Sequence, residues 1–255
     1  KPPMAAPKSE GSTKPGFGSF NSGNADDMIR SDEWVPPERP LFIQELVESA
    51  VNGQACAFGR QMRQQHFLLD PEWTFVNHGA FGSPLSVAFE AANRWRTHVE
   101  RQPLRFIDRE LFPYVVKVTK RFANFVNCKA TDLVLVPNAT TALNSVFNSV
   151  PLKAGDSVFY LDCTYASVKK MIKHRCQAVG AAPVEHKLPL HASLNTADIL
   201  QEVSENLPAD SKLAVFDHIT SNDALLLPVE ELTQLCHARG IMVLIDGAHG
   251  LGATD

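Results

Sequence analysis

The stretch IMVLIDGAHGLG at residues 241–252 constrains the fold of this chain more than any other. Its apolar residues 241–245 follow one another without alternation, which is typical of a strand covered on both faces in a parallel sheet. Asp246 ends the run and so lies at the carboxyl edge of the sheet, where open α/β folds bind their ligands. Two interpretations stay open: Asp246 pairs with a charged partner, or it caps the following turn through backbone N–H groups.

The C-terminal half alternates short apolar runs with helical patterns. We predict helices at residues 140–150, 166–177, 196–206 and 229–239, and strands at residues 133–136, 157–161, 183–187, 213–216 and 241–245. Strands that alternate with helices of this length form βαβ units with right-handed crossovers. The predicted fold class is therefore α/β, a mostly parallel sheet with helices on both faces.

The N-terminal part has a different pattern. Residues 1–40 are rich in Gly, Ser, Pro and Lys, a composition that predicts a flexible tail, and residues 41–66 are predicted as a helical arm before a large domain at residues 67–255. Within that domain we predict that residues 75–82 are a short strand that runs into a glycine-bearing turn. Ser83 and Pro84 are predicted to open a helix that runs to about residue 101, and Asp108 to start another that reaches about residue 127.

Composition excludes several classes of function. The net charge of −4 and the pI near 6.1 leave no basic surface for a nucleic acid. Five cysteines are scattered without a CxxC pair, which favours reduced thiols inside the cell over disulfides or a zinc site. The sequence shows neither an apolar run long enough to cross a membrane nor a secretory signal, so we expect a soluble, cytoplasmic protein.

Polar turns follow three of the predicted strands, at residues 137–142, 162–165 and 217–222. The first opens a helix with two threonines, a start that either binds a phosphate or is simply capped. Neither GxxxxGK[ST] nor GxGxxG is present. The second turn offers a ring or a thiol to stack on a cofactor, and the third can hydrogen-bond a ring oxygen. With Asp246 and His249, these turns form the set of groups that pyridoxal phosphate requires.

Four motifs in this order, NATTALN, LDCTYASVK, FDHITSNDALLLPVEEL and GIMVLIDGAHGLG, resemble the class V aminotransferase family of fold-type I pyridoxal-phosphate enzymes. VNHGAFGSP at residues 76–84 and QPLRFID at residues 102–108 are most similar to its isopenicillin-N-epimerase-like branch. The resemblance covers about residues 67–255. It implies a large domain of the fold-type I kind, pyridoxal 5'-phosphate as the cofactor, an amino acid as the small-molecule substrate and, for the full-length protein, a homodimer.

The resemblance also implies roles for particular residues. Ala139 and Thr140 would hold the phosphate, Asp246 would pair with the pyridinium nitrogen, and His249 and Ser221 would bond the phenolic oxygen of the ring. Tyr165 would stack on the ring, where the desulfurase branch has a histidine. Three further residues would face the substrate: Asn77, His78 and Arg105. Taken alone, His78 is more often a structural histidine than a ligand.

The catalytic residue of the family is missing from the sequence. Its Schiff-base lysine follows the DxAH motif by some distance, and the lysines of this chain, such as Lys169, Lys173 and Lys212, precede Asp246. The resemblance thus implies the N-terminal part of an aminotransferase, epimerase or carbon–sulfur lyase, inactive by itself. Two alternatives remain: an inactive protein that keeps the fold for binding or oligomerisation, and a metal hydrolase that uses Asp246 and His249.

Overall fold

The computed structural model describes residues 24–51, 56–189 and 195–254. The chain divides into two compact units, Lys1–Leu135 and Val136–Asp255. The boundary between them lies within the segment predicted as a strand at residues 133–136. The large domain at residues 67–255 stays a prediction. The two units are described separately below.

The described part of the first unit is helical. Its α-helices, in chain order, are α1 (Ala25–Arg30), α2 (Leu41–Val51), α3 (Arg60–His66), α4 (His78–Phe81), α5 (Ser86–Arg101), α6 (Pro103–Arg105) and α7 (Leu111–Phe125). A π-helical segment at Phe106–Glu110 joins α6 to α7, and a 3-10 turn lies at Ala130–Asp132. The buried side chains of α7 are Val116, Thr119 and Ala123.

The structure differs from the predicted flexible tail over residues 24–40. Asn24 caps α1, because its side-chain oxygen accepts a hydrogen bond from the Asp26 N–H group. Lys120 and Lys117 of α7 donate hydrogen bonds to the backbone oxygens of Ser31 and Pro37. Composition did not show these contacts, since they join residues 80 or more positions apart. Residues 1–23, the remainder of the predicted tail, lie outside the described residues.

Three local predictions in this unit were wrong. Residues 75–76 form no strand, and Val76 is exposed. The helix predicted from Ser83 begins at Ser86, because Leu85 forms an antiparallel bridge with Phe67 and keeps the preceding backbone extended. The helix predicted from Asp108 begins in the π-helical segment, since the ring of Pro113 clashes with the carbonyl group four residues earlier in a regular α-helix.

The described part of the second unit is built on a four-stranded sheet. Its strands are β1 (Ser157–Leu161), β2 (Ala182–His186), β3 (Ser211–Asp217) and β4 (Met242–Asp246), all parallel and in the order β2-β1-β3-β4. Its α-helices are α8 (Ala139–Ser149), α9 (Ala166–Val179), α10 (Thr196–Asn206) and α11 (Val229–Ala238). The bounds of β1 and α10 are the predicted ones, and the others differ by one or two residues at an end.

The helices cover both faces of this sheet, as predicted. Val158, Tyr160 and Val215 belong to a core cluster with residues of α8 and α9, whereas the alternating residues Phe159 and Phe216 belong to a cluster with α10 and α11. Successive side chains of a strand point to opposite faces, so a strand buried on both faces has no polar position. This is why residues 158–161 of β1 and 213–216 of β3 read as unbroken apolar runs, and it confirms the α/β class.

The strand predicted at residues 133–136 is absent. A strand requires a hydrogen-bonded neighbour, and none of the four strands in the described sheet pairs with this segment. Val134 is 76% exposed there. The apolar sequence was therefore not a sufficient signal for a strand. Over the described residues, none of the helices has both the length and the apolar character needed to span a bilayer.

Candidate functional site

Asp246 ends β4 and is buried, with 6% of its surface exposed. Its Oδ1 atom accepts a hydrogen bond of 3.1 Å from the Ala248 N–H group, and its backbone oxygen accepts one of 2.8 Å from the His218 N–H group. The capping interpretation of Asp246 is therefore correct for one oxygen of the carboxylate. It leaves room for the other interpretation, because one hydrogen bond satisfies only part of a buried carboxylate.

The start of α8 can bind an anion while being capped. Asn138 Oδ1 accepts a hydrogen bond of 2.8 Å from the Thr141 N–H group, and Asn138 O accepts one from Ala142. The amide groups of Ala139 and Thr140 precede these bonds and have no acceptor within the helix, as the geometry of a helix start dictates. They point along the positive end of the helix dipole, which attracts phosphate.

A cavity of about 230 Å³ joins these two features. It is lined by Ala139, Ala142, Leu143 and Val146 of α8 and by residues 244–248 at the end of β4. The structure thus brings Ala139 and Asp246, predicted from separate motifs, to the same space. The amides at the start of α8 suit a phosphate and the carboxylate suits a ring cation, so this arrangement fits pyridoxal phosphate.

The turn after β1 presents a ring but no thiol. Tyr165, which precedes α9, is 42% exposed, whereas Cys163 is 8% exposed and packs in the cluster that contains Phe159 and Leu161. Burial raises the pKa of the Cys163 thiol to about 12. The sequence had left a ring or a thiol open for stacking, and the structure excludes the thiol because it is committed to the hydrophobic core.

The turns after β3 and β4 hold the two residues expected to bond the phenolic oxygen. Ser221 is half-buried in the first of them, where the neighbouring Thr220 Oγ1 accepts a hydrogen bond of 2.9 Å from the Leu225 N–H group. His249 is half-buried in the second turn. Both turns belong to the carboxyl edge of the sheet, as the order of the motifs predicted.

The three residues expected to face the substrate belong to the first unit. Asn77 immediately precedes α4 without capping it through its side chain. The ring of His78 lies edge-on to Phe75 with centroids 4.8 Å apart, and Arg105 Nε lies 2.8 Å from the carboxylate of Glu110. Their role towards a substrate stays a prediction.

The sequence analysis missed one residue of this site, Asp217. It is the last residue of β3, is 3% exposed and pairs in register with Asp246. Its pKa is raised, mainly by burial and further by the charge of Asp246, although Thr164 and the Tyr165 N–H group act in the opposite direction. The signal was available, because Asp217 ends an apolar run in the same way as Asp246.

Two of the lysines that precede Asp246 are engaged in ion pairs away from this cavity. Lys169 Nζ and Lys173 Nζ lie 3.0 and 2.9 Å from the carboxylate of Glu185 on β2. Lys169 also donates a hydrogen bond to Asp162 O. The metal-hydrolase alternative requires several ligands close together, and within residues 24–51, 56–189 and 195–254 no three His, Cys, Asp or Glu side chains are grouped to hold a metal ion.

Comparison with known proteins agrees with this geometry. The chain is 32% identical over 246 residues to an L-cysteine desulfhydrase of Arabidopsis thaliana. The matched region covers 91% of this chain and 51% of that protein. It is 29% identical to an isopenicillin N epimerase of Streptomyces clavuligerus, over 74% of this chain and 47% of the epimerase. The chain thus spans about half the length of these relatives.

A solved structure shows the same fold. A mutant of C-DES with glycine covalently linked to its PLP cofactor superimposes with a TM-score of 0.66 at 21% identity, over 74% of this chain and 50% of that one. The family model of class V aminotransferases matches residues 96–254, which include every motif of the sheet edge described above. The chain therefore belongs to the class V aminotransferase family, and pyridoxal phosphate is the cofactor that its sheet edge is built to hold.

Proposed function

We propose that the protein is a pyridoxal-phosphate enzyme that acts on an amino acid. One observation carries this proposal: Asp246 and the first turn of α8 line the same cavity. A carboxylate and a helix start at two sides of one space match the two charged ends of the cofactor. When bound, pyridoxal phosphate withdraws electrons from the α-carbon of an amino acid.

The residues of this chain would position that group. The amides of Ala139 and Thr140, with the Thr140 hydroxyl, would bind the phosphate, and Asp246 would hold a proton on the ring nitrogen. The half-exposed ring of Tyr165 would cover one face of the cofactor. Ser221 and His249 would donate hydrogen bonds to the phenolic oxygen. Asn77, His78 and Arg105 would contact the substrate.

Cleavage of a carbon–sulfur bond in cysteine is the reaction we propose first. It is supported by the L-cysteine desulfhydrase of Arabidopsis thaliana, whose similarity extends over 91% of this chain. Epimerisation of an amino acid is the second candidate, and the isopenicillin N epimerase of Streptomyces clavuligerus supports it. Sulfide release from L-cysteine and loss of optical activity in an amino acid distinguish the two.

We further propose a homodimer in the cytoplasm. The five cysteines are free thiols, which supports a reducing compartment. Detection of the protein in separated cytosolic and organelle fractions tests the location. Light scattering of the purified protein tests the dimer.

The experiment that tests the function compares the wild type with D246N. The amide oxygen of Asn at this position can still accept the hydrogen bond from Ala248, so the turn and the melting temperature should be retained. The charge for the ring nitrogen is lost, and in a full-length version that supplies the Schiff-base lysine we expect turnover to fall by at least about a hundredfold. Absorbance of added pyridoxal phosphate reports binding. Wild-type protein that binds no cofactor, or D246N with wild-type turnover, would contradict the proposal.

A further inference from the structure

Two buried carboxyl groups lie side by side at the carboxyl edge of the sheet. Asp217 of β3 and Asp246 of β4 are paired in register on adjacent parallel strands. Val215 and Leu244, two residues before each of them, pack in the same cluster with α8 and α9. Alternate residues of a strand share a face, so both carboxyl groups leave the same face of the sheet.

Asp217 lacks the hydrogen bonds that a buried anion requires. Its Oδ1 accepts one long bond of 3.4 Å from the Tyr165 N–H group. Its buried Oδ2 has no partner in regular hydrogen-bond geometry among the described residues, and neither has the buried Thr164 hydroxyl oxygen. Thr164 and nearby backbone N–H groups oppose the rise in the pKa of Asp217 without cancelling it. An ionised carboxylate normally accepts several hydrogen bonds, so this environment is unfavourable for a negative charge.

The charged groups around Asp217 add to this effect. Asp246 acts on Asp217 from β4, and Asp162 and Asp223 act, together with Asp217, on the neighbouring Cys163 thiol. The ammonium group of Lys169 on α9 is engaged elsewhere, since it contacts Asp162 O and Glu185. Several carboxylates in one place favour a proton on the most buried of them. Burial also raises the pKa of Asp217.

We propose that Asp217 is a neutral carboxylic acid in the folded protein and acts as a positioning residue for the turn that carries Tyr165. Its carbonyl oxygen accepts the Tyr165 N–H bond, and its O–H group donates to the Thr164 hydroxyl oxygen, which pairs both unsatisfied atoms with a single proton. The positioning of Tyr165 towards a cofactor rests on the proposed function, whereas the protonation of Asp217 does not.

The protonation is tested on the protein without cofactor. Infrared spectroscopy of protein labelled with ¹³C at the aspartate carboxyl carbons should show the C=O band of a protonated acid at neutral pH. The band should be missing in D217N and retained in the matched control D246N. Its absence from the wild type, or its persistence in D217N, would overturn the proposal.

The pH dependence of unfolding gives an independent readout. A carboxyl group with a raised pKa stabilises the folded state fully below its unfolded value, and this stability is lost as pH rises towards the folded value. The folding equilibrium constant of the wild type should therefore fall relative to D217N by up to about tenfold per pH unit above pH ~4. A ratio that is constant with pH, or that rises, would contradict a neutral Asp217.

The positioning role is tested by amide hydrogen exchange at Tyr165. Asn keeps a carbonyl oxygen for the Tyr165 N–H group, so exchange in D217N should match the wild type. In D217A exchange should be at least about tenfold faster. Equal exchange in both variants would overturn the positioning role.

If D217N does not fold, the infrared measurement uses T164V in its place. This variant removes the acceptor of the proposed O–H bond and should shift the acid band of Asp217, and an unshifted band would contradict the pairing. Failure of the wild type to bind pyridoxal phosphate would overturn the proposed function alone, because none of these readouts contains the cofactor.

Discussion

The imidazole ring of His218 lies directly against Gly250. A Cβ atom added at Gly250 would be 2.5 Å from His218 Nδ1 and 3.3 Å from its Cγ. The backbone of His218 is held at both ends, since its N–H group donates to Asp246 O and its carbonyl accepts from the Leu227 N–H group. The contact therefore ties the turn after β3 to the turn that carries His249, and glycine is required at this position for space.

We expect G250A to destabilise the protein by about 1–3 kcal/mol, the usual cost of adding a methyl group where there is no room for it. Urea unfolding measures this change. G247A is the matched control, because a Cβ atom at Gly247 meets nothing within 4 Å. Removal of the ring in the double variant H218A/G250A should relieve most of the clash, and equal destabilisation by both glycine variants would show that the contact is not its cause.

The first turn of α8 should discriminate pyridoxal phosphate from pyridoxal. Thr140 is exposed, so T140D should fold, and an acidic residue near a helix start stabilises it by about 0.3–1 kcal/mol. The same charge repels a phosphate. Titrations of T140D with the two compounds should show that the preference for pyridoxal phosphate is lost, while N144D, with an added charge further along α8, keeps it. An unchanged preference in T140D would remove Ala139 and Thr140 from the phosphate site.

The Glu185 cluster should contribute stability that depends on pH. Hydrogen bonds from Lys173, Lys169 and Tyr160 lower the pKa of Glu185 from its usual value of 4.5 in spite of burial. This stability is present above that value and is lost as pH falls through the lower folded value. A third of the Glu185 side chain is exposed, so solvent screens its ion pairs. We therefore expect E185Q to lower the free energy of unfolding by about 0.5–1 kcal/mol at neutral pH and to leave it unchanged in acid.

Denaturant unfolding at several pH values measures this difference. E205Q is the control. Glu205 on α10 accepts a hydrogen bond from the neutral Gln201 side chain, whereas Glu185 pairs with two lysines. A cost of E185Q that persists unchanged at low pH would show that the cluster acts through shape instead of charge.

Alkylation should separate the cysteines by exposure. Cys128 is exposed and should react first at pH 8, whereas Cys163 and Cys236 are buried. Burial raises the pKa of Cys163 to about 12 and that of Cys236 to about 11. A thiol of pKa 12 is ionised to roughly one part in 10,000 at pH 8 and reacts slowly. Mass spectrometry with C128S as the control identifies each site, and rapid modification of Cys163 in the folded protein would contradict its placement in the core.

The local sequence pattern was sufficient to predict an element where its structure depends on residues nearby in the chain. β1 and α10 have their predicted bounds because an unbroken apolar run and an Asn cap are complete signals by themselves. The segment at residues 133–136 shows the limit of this reasoning. Its apolar residues have the composition of a strand, but a strand must pair with a neighbouring strand, and the local sequence does not show whether one is present.

The sequence by itself determined the α/β class, the family, the cofactor and the polar residues at the ends of the strands, because these follow from periodicity and from motifs read along the chain. Only the tertiary structure decided which of these residues share a space. It placed Ala139 with Asp246 at one cavity, buried Cys163 in the core and set Asp217 beside Asp246. Burial and register join residues from separate strands and helices, and the burial and neighbouring charge that raise the pKa of Asp217 exist only after the sheet has formed.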